Sequence, residues 1–369
     1  MRRAFRRAAG AAGAGTALAF VGSVYERPFP DVADGVWMAA RGVTIRAPPV
    51  GPPPPGLDTH LRVVDEPSFF SAAGDGGALR PASRALAAAF SHVFVAGVAA
   101  ASRALLGGCN TLDVRDDAHY AALVAAVDAR RGGHDRGLLT ICNHASVFDD
   151  PPLVSALLPF RLAADARAAR WAACAQEVCF SRGVLLSTLA GAGKALPIKR
   201  GGGVGQLGPQ LAKLDGGRWV HLFPEGHVFQ SGCIGRDDDV CSRVGSGAGR
   251  PPDAFAAIGG LKWGAAVLAA HARRAPLVVP FHHRGMENVM PFADDGSRKT
   301  KPPLPRVGNA VAVRVGAAVD VDDLVAAYER VHGAIRGTPP PSAPTAAQRA
   351  LYSAMTRRLE AALSALGER

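Results

Sequence analysis

The chain alternates short apolar runs with segments of helical periodicity, and this alternation constrains its fold more than any other feature. Apolar runs predict strands at 138–142, 194–198, 218–223, 277–282 and 309–315. Helical patterns lie near 117–131, 150–158, 206–215, 259–273 and 321–334, and a last helix is expected from about Thr345 to Leu366. Strands that alternate with helices indicate an α/β layered domain with a largely parallel central sheet.

The loop after the first of these runs carries a histidine and a carboxylate five positions apart, His144 and Asp149. In open α/β sheets, ligands bind outside the carboxyl ends of the strands, so this loop is well placed for chemistry. His144 can take a proton from a hydroxyl, while Asp149 holds its other ring nitrogen. A loop histidine that caps or packs is the alternative, and residues 143–149 alone do not distinguish the two.

Two more predicted strand ends carry charged groups and glycines. The strand at 194–198 begins with Lys194 and is followed by Lys199, Arg200 and Gly201, and the strand at 218–223 runs into Pro224-Glu225-Gly226. The carboxyl ends of both strands are expected at the edge of the sheet where the His144 loop lies.

These blocks, taken in order, resemble those of the glycerolipid acyltransferases. The blocks are N-H-x-S-x-x-D at 143–149, a basic block that ends in Arg200-Gly201, F-P-E-G at 223–226, and Val279-Pro280. Within that family the chain is most similar to the tafazzin group, the phospholipid–lysophospholipid transacylases that remodel cardiolipin. The similarity covers about residues 109 to 335 and includes Lys262-Trp263-Gly264. The chain departs from the pattern at His227, where lysine is usual, and at Gly260, where arginine is common. An inserted loop is expected at 232–258.

The resemblance implies an αβα acyltransferase fold and an enzyme that moves a fatty acyl chain from a phospholipid to a lysophospholipid. It implies His144 as general base, Asp149 as its orienting partner, and no metal or dissociable cofactor. The residues expected to bind substrate are Asn143, Ser146, Lys194, Lys199, Arg200, Gly201, Phe223, Pro224, Glu225, Gly226 and Pro280. An acyl-CoA-dependent lysophospholipid or lysophosphatidate acyltransferase is the alternative enzyme. An inactive membrane lipid-binding scaffold is the alternative from another class, although binding alone needs no base.

The formal net charge of +11 indicates an anionic partner. Nucleic acid is disfavoured, because no helix-turn-helix, zinc finger or aromatic single-strand platform accompanies the basic residues. An anionic membrane suits the charge better. The six cysteines show no paired C-x-x-C spacing, so zinc is disfavoured and free thiols in a reducing compartment are expected. His282 and His283 are neighbours on a predicted strand and should point to opposite faces, one structural and the other towards substrate.

The sequence divides into five expected segments. Residues 1–26 are rich in arginine and lack acids before Glu26, as in a mitochondrial transit peptide, with a plain basic tail as the alternative. A Pro/Gly-rich linker at 27–82 precedes an apolar helix at 83–107, which is expected to lie in a membrane interface or, alternatively, to be a buried amphipathic helix. The acyltransferase domain then spans 108–336, and a linker with the last helix occupies 337–369. The expected location is a mitochondrial membrane, with peripheral or monotopic attachment, or another organelle membrane.

Overall fold

The computed structural model describes residues 36–37, 45–46, 80–115, 117–180, 184–230, 260–292 and 304–367. The predicted transit peptide at 1–26, the predicted insertion at 232–258 and most of the predicted linker at 27–82 lie outside these residues. Within the linker, two short strands, β1 (Val36–Trp37) and β2 (Ile45–Arg46), pair antiparallel.

Seven further strands form one sheet in the order β3-β9-β8-β4-β7-β5-β6. They are β3 (Thr111–Val114), β4 (Leu138–Cys142), β5 (Trp171–Ala175), β6 (Ala195–Ile198), β7 (Trp219–Leu222), β8 (Leu277–Arg284) and β9 (Ala310–Val315). The block β8-β4-β7-β5-β6 is parallel throughout. Strand β9 runs antiparallel to β8, and β3 runs parallel to β9 at the edge. The predicted α/β class with a largely parallel sheet is therefore confirmed.

Helices cover both faces of this sheet. They are α1 (Arg80–Arg103), α2 (Ala118–Ala129), α3 (Val154–Leu157), α4 (Phe160–Ala163), α5 (Gln176–Cys179), α6 (Val184–Ala192), α7 (Gly208–Asp215), α8 (Gly264–His271), α9 (Met286–Val289), α10 (Asp322–His332) and α11 (Ala346–Gly367). A π-helical segment, Ala104–Cys109, continues α1, and a π-helical turn, Asp149–Leu153, leads into α3.

Strand β4 lies inside the sheet, between β7 and β8, and all five of its residues are buried. Its side chains alternate between two apolar cores, because successive residues of a strand point to opposite faces. Leu139 and Ile141 join the core formed with α7, α8, α10 and α11, whereas Leu138 and Cys142 join the core formed with α1, α2 and α3. This two-sided burial explains why the β4 sequence is a continuous apolar run.

Helix α1 packs its small and polar side on the domain and turns its large apolar side outwards. Ala87, Ser91 and Ala99 are buried, and the Ser91 hydroxyl donates to the Ala192 carbonyl over 2.8 Å. The side chains of Leu86, Phe90 and Val93 are exposed, at 60%, 40% and 73%. The stretch from Ala85 to Cys109 is long and apolar enough to cross a membrane, by length and composition alone.

The expectation that all cysteines are free thiols is wrong. Cys174, in β5, and Cys179, in α5, form a disulfide, while Cys109 and Cys142 are free. The turn from β5 into α5 brings the two Cα atoms to 6.3 Å, within the usual range for a disulfide, although their sequence separation is five rather than three. Cys233 and Cys241 lie outside the described residues.

Candidate active site

The loop that follows β4 brings His144 and Asp149 into direct contact. The Nδ1 atom of His144 lies 2.9 Å from the Oδ2 atom of Asp149. Asp149 is fully buried, whereas 18% of the His144 side chain is exposed. A carboxylate only accepts hydrogen bonds, so Nδ1 carries the proton and the Nε2 lone pair is left to accept one.

Asp149 is fixed by the backbone of its own loop. Its Oδ2 atom also accepts the N–H groups of Ala145, over 2.7 Å, and Ser146, over 2.8 Å. Burial raises the pKa of the Asp149 carboxyl, but the charge of His283 and the hydrogen bond from His144 lower it to about 2. The carboxylate is therefore ionised at neutral pH and can stabilise a protonated His144.

The F-P-E-G turn after β7 supports His144 from two sides. The Phe223 ring stacks on the His144 ring, with centroids 4.0 Å apart and planes inclined by 21°. The buried Glu225 accepts the backbone N–H of His144 through Oε1, over 3.0 Å. Burial raises the pKa of Glu225 well above its ordinary value, and the charge of Asp149 raises it further, although the N–H of His144 opposes this. Glu225 thus acts on the His144 loop rather than facing open space.

His144 lies on the wall of a cavity of about 650 Å³. Four cationic side chains also line this cavity: Lys199 and Arg200 after β6, Lys262 before α8, and Arg357 on α11. Of the acids on the wall, Asp150 is paired with Arg170 over 2.6 Å, and Glu360 accepts the Leu261 backbone N–H over 2.8 Å. The cavity therefore offers a cationic surface next to the His144 base.

The residues expected to bind substrate fall into two groups in the structure. Those on the cavity wall are Lys199, Arg200, Gly201, Phe223, Pro224 and Gly226. Those away from the wall are Asn143, Ser146, Lys194, Glu225 and Pro280. Lys194 places its ammonium 4.7 Å from the Trp171 ring centroid, and Pro280 pairs with Ile141 inside the sheet. The Ser146 hydroxyl accepts the Phe148 N–H over 3.2 Å, within the loop.

Lys262 supplies a cation that the F-P-E-G turn lacks at His227. Its backbone N–H donates to the Pro224 carbonyl over 2.7 Å. Its ammonium lies so close to Gly226, where φ is +73°, that a Cβ there would be 2.6 Å from Nζ. Burial lowers the pKa of Lys262, and the charge of Arg200 lowers it further. Two cations therefore share this part of the cavity, which favours binding of an anion.

Sequence reasoning missed the contribution of α11. Ser353, Thr356, Arg357 and Glu360 all line the cavity. Their spacing of three and four residues is that of one helix face, and this pattern in the sequence could have indicated a shared surface. The resemblance to known acyltransferases ends near residue 335 and does not include these residues.

One of His282 and His283 was expected to be structural and the other to face substrate, and only the structural part of this expectation is met. Both residues are buried, and neither lies on the cavity wall. The His283 Nε2 atom is 3.5 Å from Asp149 Oδ2, so His283 approaches the site from behind. Among the described residues, no group of three or more His, Cys, Asp or Glu side chains could hold a metal ion.

Comparisons of the chain with known proteins find similarity to acyltransferases. The family model described as Acyltransferase matches residues 123–284, which contain β4 to β8 and the His144 loop. The N-acylphosphatidylethanolamine synthase of Arabidopsis thaliana is 32% identical over 291 residues, which are 74% of this chain and 91% of that protein. The chain belongs to the acyltransferase family. It is therefore an enzyme of the acyltransferase class, and lipids are its substrates.

Two tafazzins are also similar to this acyltransferase. The taffazin of Dictyostelium discoideum is 32% identical over 199 residues, which are 52% of this chain and 58% of that protein. The tafazzin of Drosophila melanogaster is 29% identical over 190 residues, 51% of this chain and 42% of that protein. The similarity to the tafazzin group expected from the sequence is confirmed, and the matched part spans about half of each tafazzin.

Proposed function

We propose that this acyltransferase moves an acyl chain from a phospholipid to the free hydroxyl of a lysophospholipid. The observation that carries the proposal is His144, held by the buried Asp149, on the wall of a cationic cavity. A base beside a surface that attracts phosphate suits a substrate that carries both a hydroxyl and a phosphodiester. The similarity to the tafazzins supports the same activity.

His144 begins the reaction as a general base. Its Nε2 atom accepts the hydroxyl proton of the lysophospholipid, and Asp149 stabilises the imidazolium that forms. The alkoxide attacks the ester carbonyl of the donor phospholipid, and the tetrahedral intermediate then expels the donor's glycerol oxygen. That oxygen takes the proton back from His144. One ester bond forms and one breaks, so the reaction runs in both directions and needs no external energy source.

The cations on the cavity wall hold the phosphate groups. Arg200 and Lys199 were expected in this role, and Lys262 joins them in place of Lys194. A guanidinium and an ammonium that approach each other repel, and a phosphodiester between them relieves this repulsion. Gly226 leaves the space that the Lys262 ammonium occupies.

The outward side of α1 attaches the enzyme to a membrane. Leu86, Phe90 and Val93 form an exposed apolar stripe, while the polar side of the helix is occupied by the domain. This arrangement suits a helix that lies in the membrane interface rather than one that crosses it.

The mitochondrion is the proposed location, because the arginine-rich stretch at 1–26, which has no acid before Glu26, is typical of a transit peptide. Changing Arg2, Arg3, Arg6 and Arg7 together to Glu should prevent import of a tagged protein. Unchanged mitochondrial localisation of this variant would show that the address lies elsewhere in the chain.

A lipid assay tests the acyl donor. Purified full-length protein is incubated with a diacyl phospholipid and a labelled lysophospholipid, with or without acyl-CoA. We expect labelled diacyl product without acyl-CoA and the reverse reaction from labelled diacyl lipid. Strict dependence on acyl-CoA would show that acyl-CoA, and not a phospholipid, is the acyl donor. Lack of product with either donor, from folded protein bound to vesicles, would contradict the proposed acceptor as well.

A second candidate activity is acyl transfer to an amine. The Arabidopsis relative is named for a product acylated on nitrogen, and this chain covers 91% of its length. The same base could take a proton from the amine of a phosphatidylethanolamine head group. Mild alkaline methanolysis separates the two candidates, because it cleaves an ester product and leaves an amide product intact.

A further inference from the structure

His283, at the carboxyl end of β8, lies directly behind the proposed catalytic pair. It is fully buried, and its Nε2 atom lies 3.5 Å from Asp149 Oδ2 and 3.0 Å from the backbone oxygen of Asn143. A proton on Nε2 is donated to the Asn143 oxygen, and the Asp149 oxygen lies at ion-pair distance from the same nitrogen. His144 contacts the same carboxylate oxygen over 2.9 Å. One oxygen of Asp149 thus lies between two imidazole rings, one on the cavity wall and one in the protein interior.

The position of His283 is fixed by Asn143. The Asn143 side-chain amide donates to the His283 carbonyl and accepts the His283 backbone N–H, each over 3.0 Å. With the ring contact, three hydrogen bonds join the end of β4 to the end of β8. This use of its amide explains why Asn143, expected to bind substrate, is buried away from the cavity wall.

His283 differs from the other donors to Asp149 in where it is anchored. The three remaining donors, from His144, Ala145 and Ser146, belong to the loop that carries Asp149 itself and would move with it. In the part of the chain that the structure describes, His283 alone joins this oxygen to the sheet. Burial lowers the pKa of His283, but the charge and contact of Asp149, the Asn143 carbonyl and the charge of Glu287 together raise it by more, so the net shift is upwards. This shift favours a cationic partner for the buried carboxylate.

We infer that His283 is a positioning residue, which holds the Asp149 carboxylate in line with His144 through its Nε2–H group. The inference rests on the proposed function, because it requires that His144 and Asp149 perform the chemistry. His283 does not touch the cavity, so its removal should lower kcat and leave KM nearly unchanged. Displacing a catalytic group by about 1 Å can lower the rate by about 100-fold.

Two substitutions separate positioning from packing. His283→Phe keeps a ring and removes the donor, whereas His283→Gln loses the ring and keeps an N–H near Nε2. If His283 positions Asp149, kcat should fall on the order of 10- to 100-fold in His283→Phe and be largely retained in His283→Gln. His282→Phe and His282→Gln are the matched controls on the same strand, and kcat should stay within about threefold of wild type. A lower kcat in His283→Gln than in His283→Phe would overturn the inference.

A spectroscopic measurement does not depend on whether His283→Phe folds. In ¹⁵N-histidine-labelled protein, the Nε2–H resonance of His283 should move when Asp149 is changed to Asn. An unchanged resonance would show that Asn143 alone receives this proton, which would overturn the inference. Failure of the proposed function gives a different result, because His144→Ala would then retain transfer. Loss of transfer in His144→Ala with normal kcat in a folded His283→Phe protein refutes the role of His283 alone.

Discussion

Asp149→Asn should slow acyl transfer by a specific and limited amount. An amide at this position can place either its oxygen or its nitrogen where Oδ2 now lies. The backbone N–H groups of Ala145 and Ser146 point at this site over 2.7 and 2.8 Å, and only an oxygen can accept them. The Asn oxygen should therefore replace Oδ2 and keep accepting the Nδ1–H of His144. The tautomer of His144 is then preserved, and only the negative charge is lost.

The expected magnitude follows from this geometry. A hydrogen bond to a charged group contributes about 1.5–3 kcal/mol and one to a neutral group about 0.5–1.5 kcal/mol, so loss of the charge alone lowers kcat by about 5- to 13-fold. An inverted tautomer would cost about 10⁴-fold, as in the serine protease example of the same substitution. The new NH₂ group would occupy the site of Oδ1, which is buried without a hydrogen-bond partner among the described residues. This should lower the free energy of unfolding by about 1–3 kcal/mol.

The assay is transfer of a labelled acyl chain between phospholipid and lysophospholipid, with kcat and KM measured separately. Thermal unfolding of the same samples reports stability. Asp165→Asn is the matched control, because Asp165 is also a largely buried carboxylate, paired with Arg131 and Arg167, and lies off the cavity wall. It should lose stability and keep its kcat. The reasoning would be refuted if kcat of Asp149→Asn fell by more than about 10³-fold and ¹⁵N NMR located the proton of His144 on Nε2.

Three further changes test the cavity and the membrane surface. Phe223→Leu should lower kcat by about 2- to 12-fold in steady-state kinetics, because an aromatic contact contributes about 0.5–1.5 kcal/mol. An unaltered kcat in a folded variant would contradict a role for the ring stack. Lys262→Ala should raise KM for phospholipid by about 10- to 150-fold, because a charge-assisted contact with phosphate is lost. Lys194→Ala, off the cavity wall, should leave KM unchanged. Equal effects of the two substitutions would contradict the proposal that Lys262 binds phosphate. Val93→Asp should reduce co-sedimentation with anionic vesicles more than the similarly exposed control Val331→Asp, and equal binding of both would exclude α1 as the attachment site.

Much of the sheet could be predicted because five of its seven strands are apolar runs. The runs at 138–142, 194–198, 218–223, 277–282 and 309–315 match β4, β6, β7, β8 and β9 to within two residues at each end. Strands β3 and β5 were missed. The β3 sequence Thr-Leu-Asp-Val is half exposed at the sheet edge, and the β5 sequence Trp-Ala-Ala-Cys-Ala is dominated by alanine, so neither gives a strong strand pattern.

The contact between His144 and Asp149 could be predicted because the two residues are close in sequence. His144 and Asp149 are five positions apart, and the loop geometry that joins them is local. The contacts of Lys262 with Gly226 and of His283 with Asp149 depend instead on how β7, β8 and the β4 loop meet in space. Lys194 was predicted to bind substrate, but it lies at the amino end of β6, where its side chain packs on Trp171. The sequence already placed Lys194 at the start of the strand, and ligands bind at the carboxyl ends of strands in such sheets.

The participation of α11 in the cavity wall has a consequence for biosynthesis. His144 and the F-P-E-G turn leave the ribosome long before Ser353, Thr356 and Arg357, yet the wall needs all of them. A nascent or truncated chain that stops before α11 would expose the apolar core residues that Tyr352 and Leu359 cover. We therefore expect that nonsense mutations between residue 337 and the start of α11, which spare the His144 loop and the F-P-E-G turn, yield an unstable protein that proteases remove rather than a shortened active enzyme.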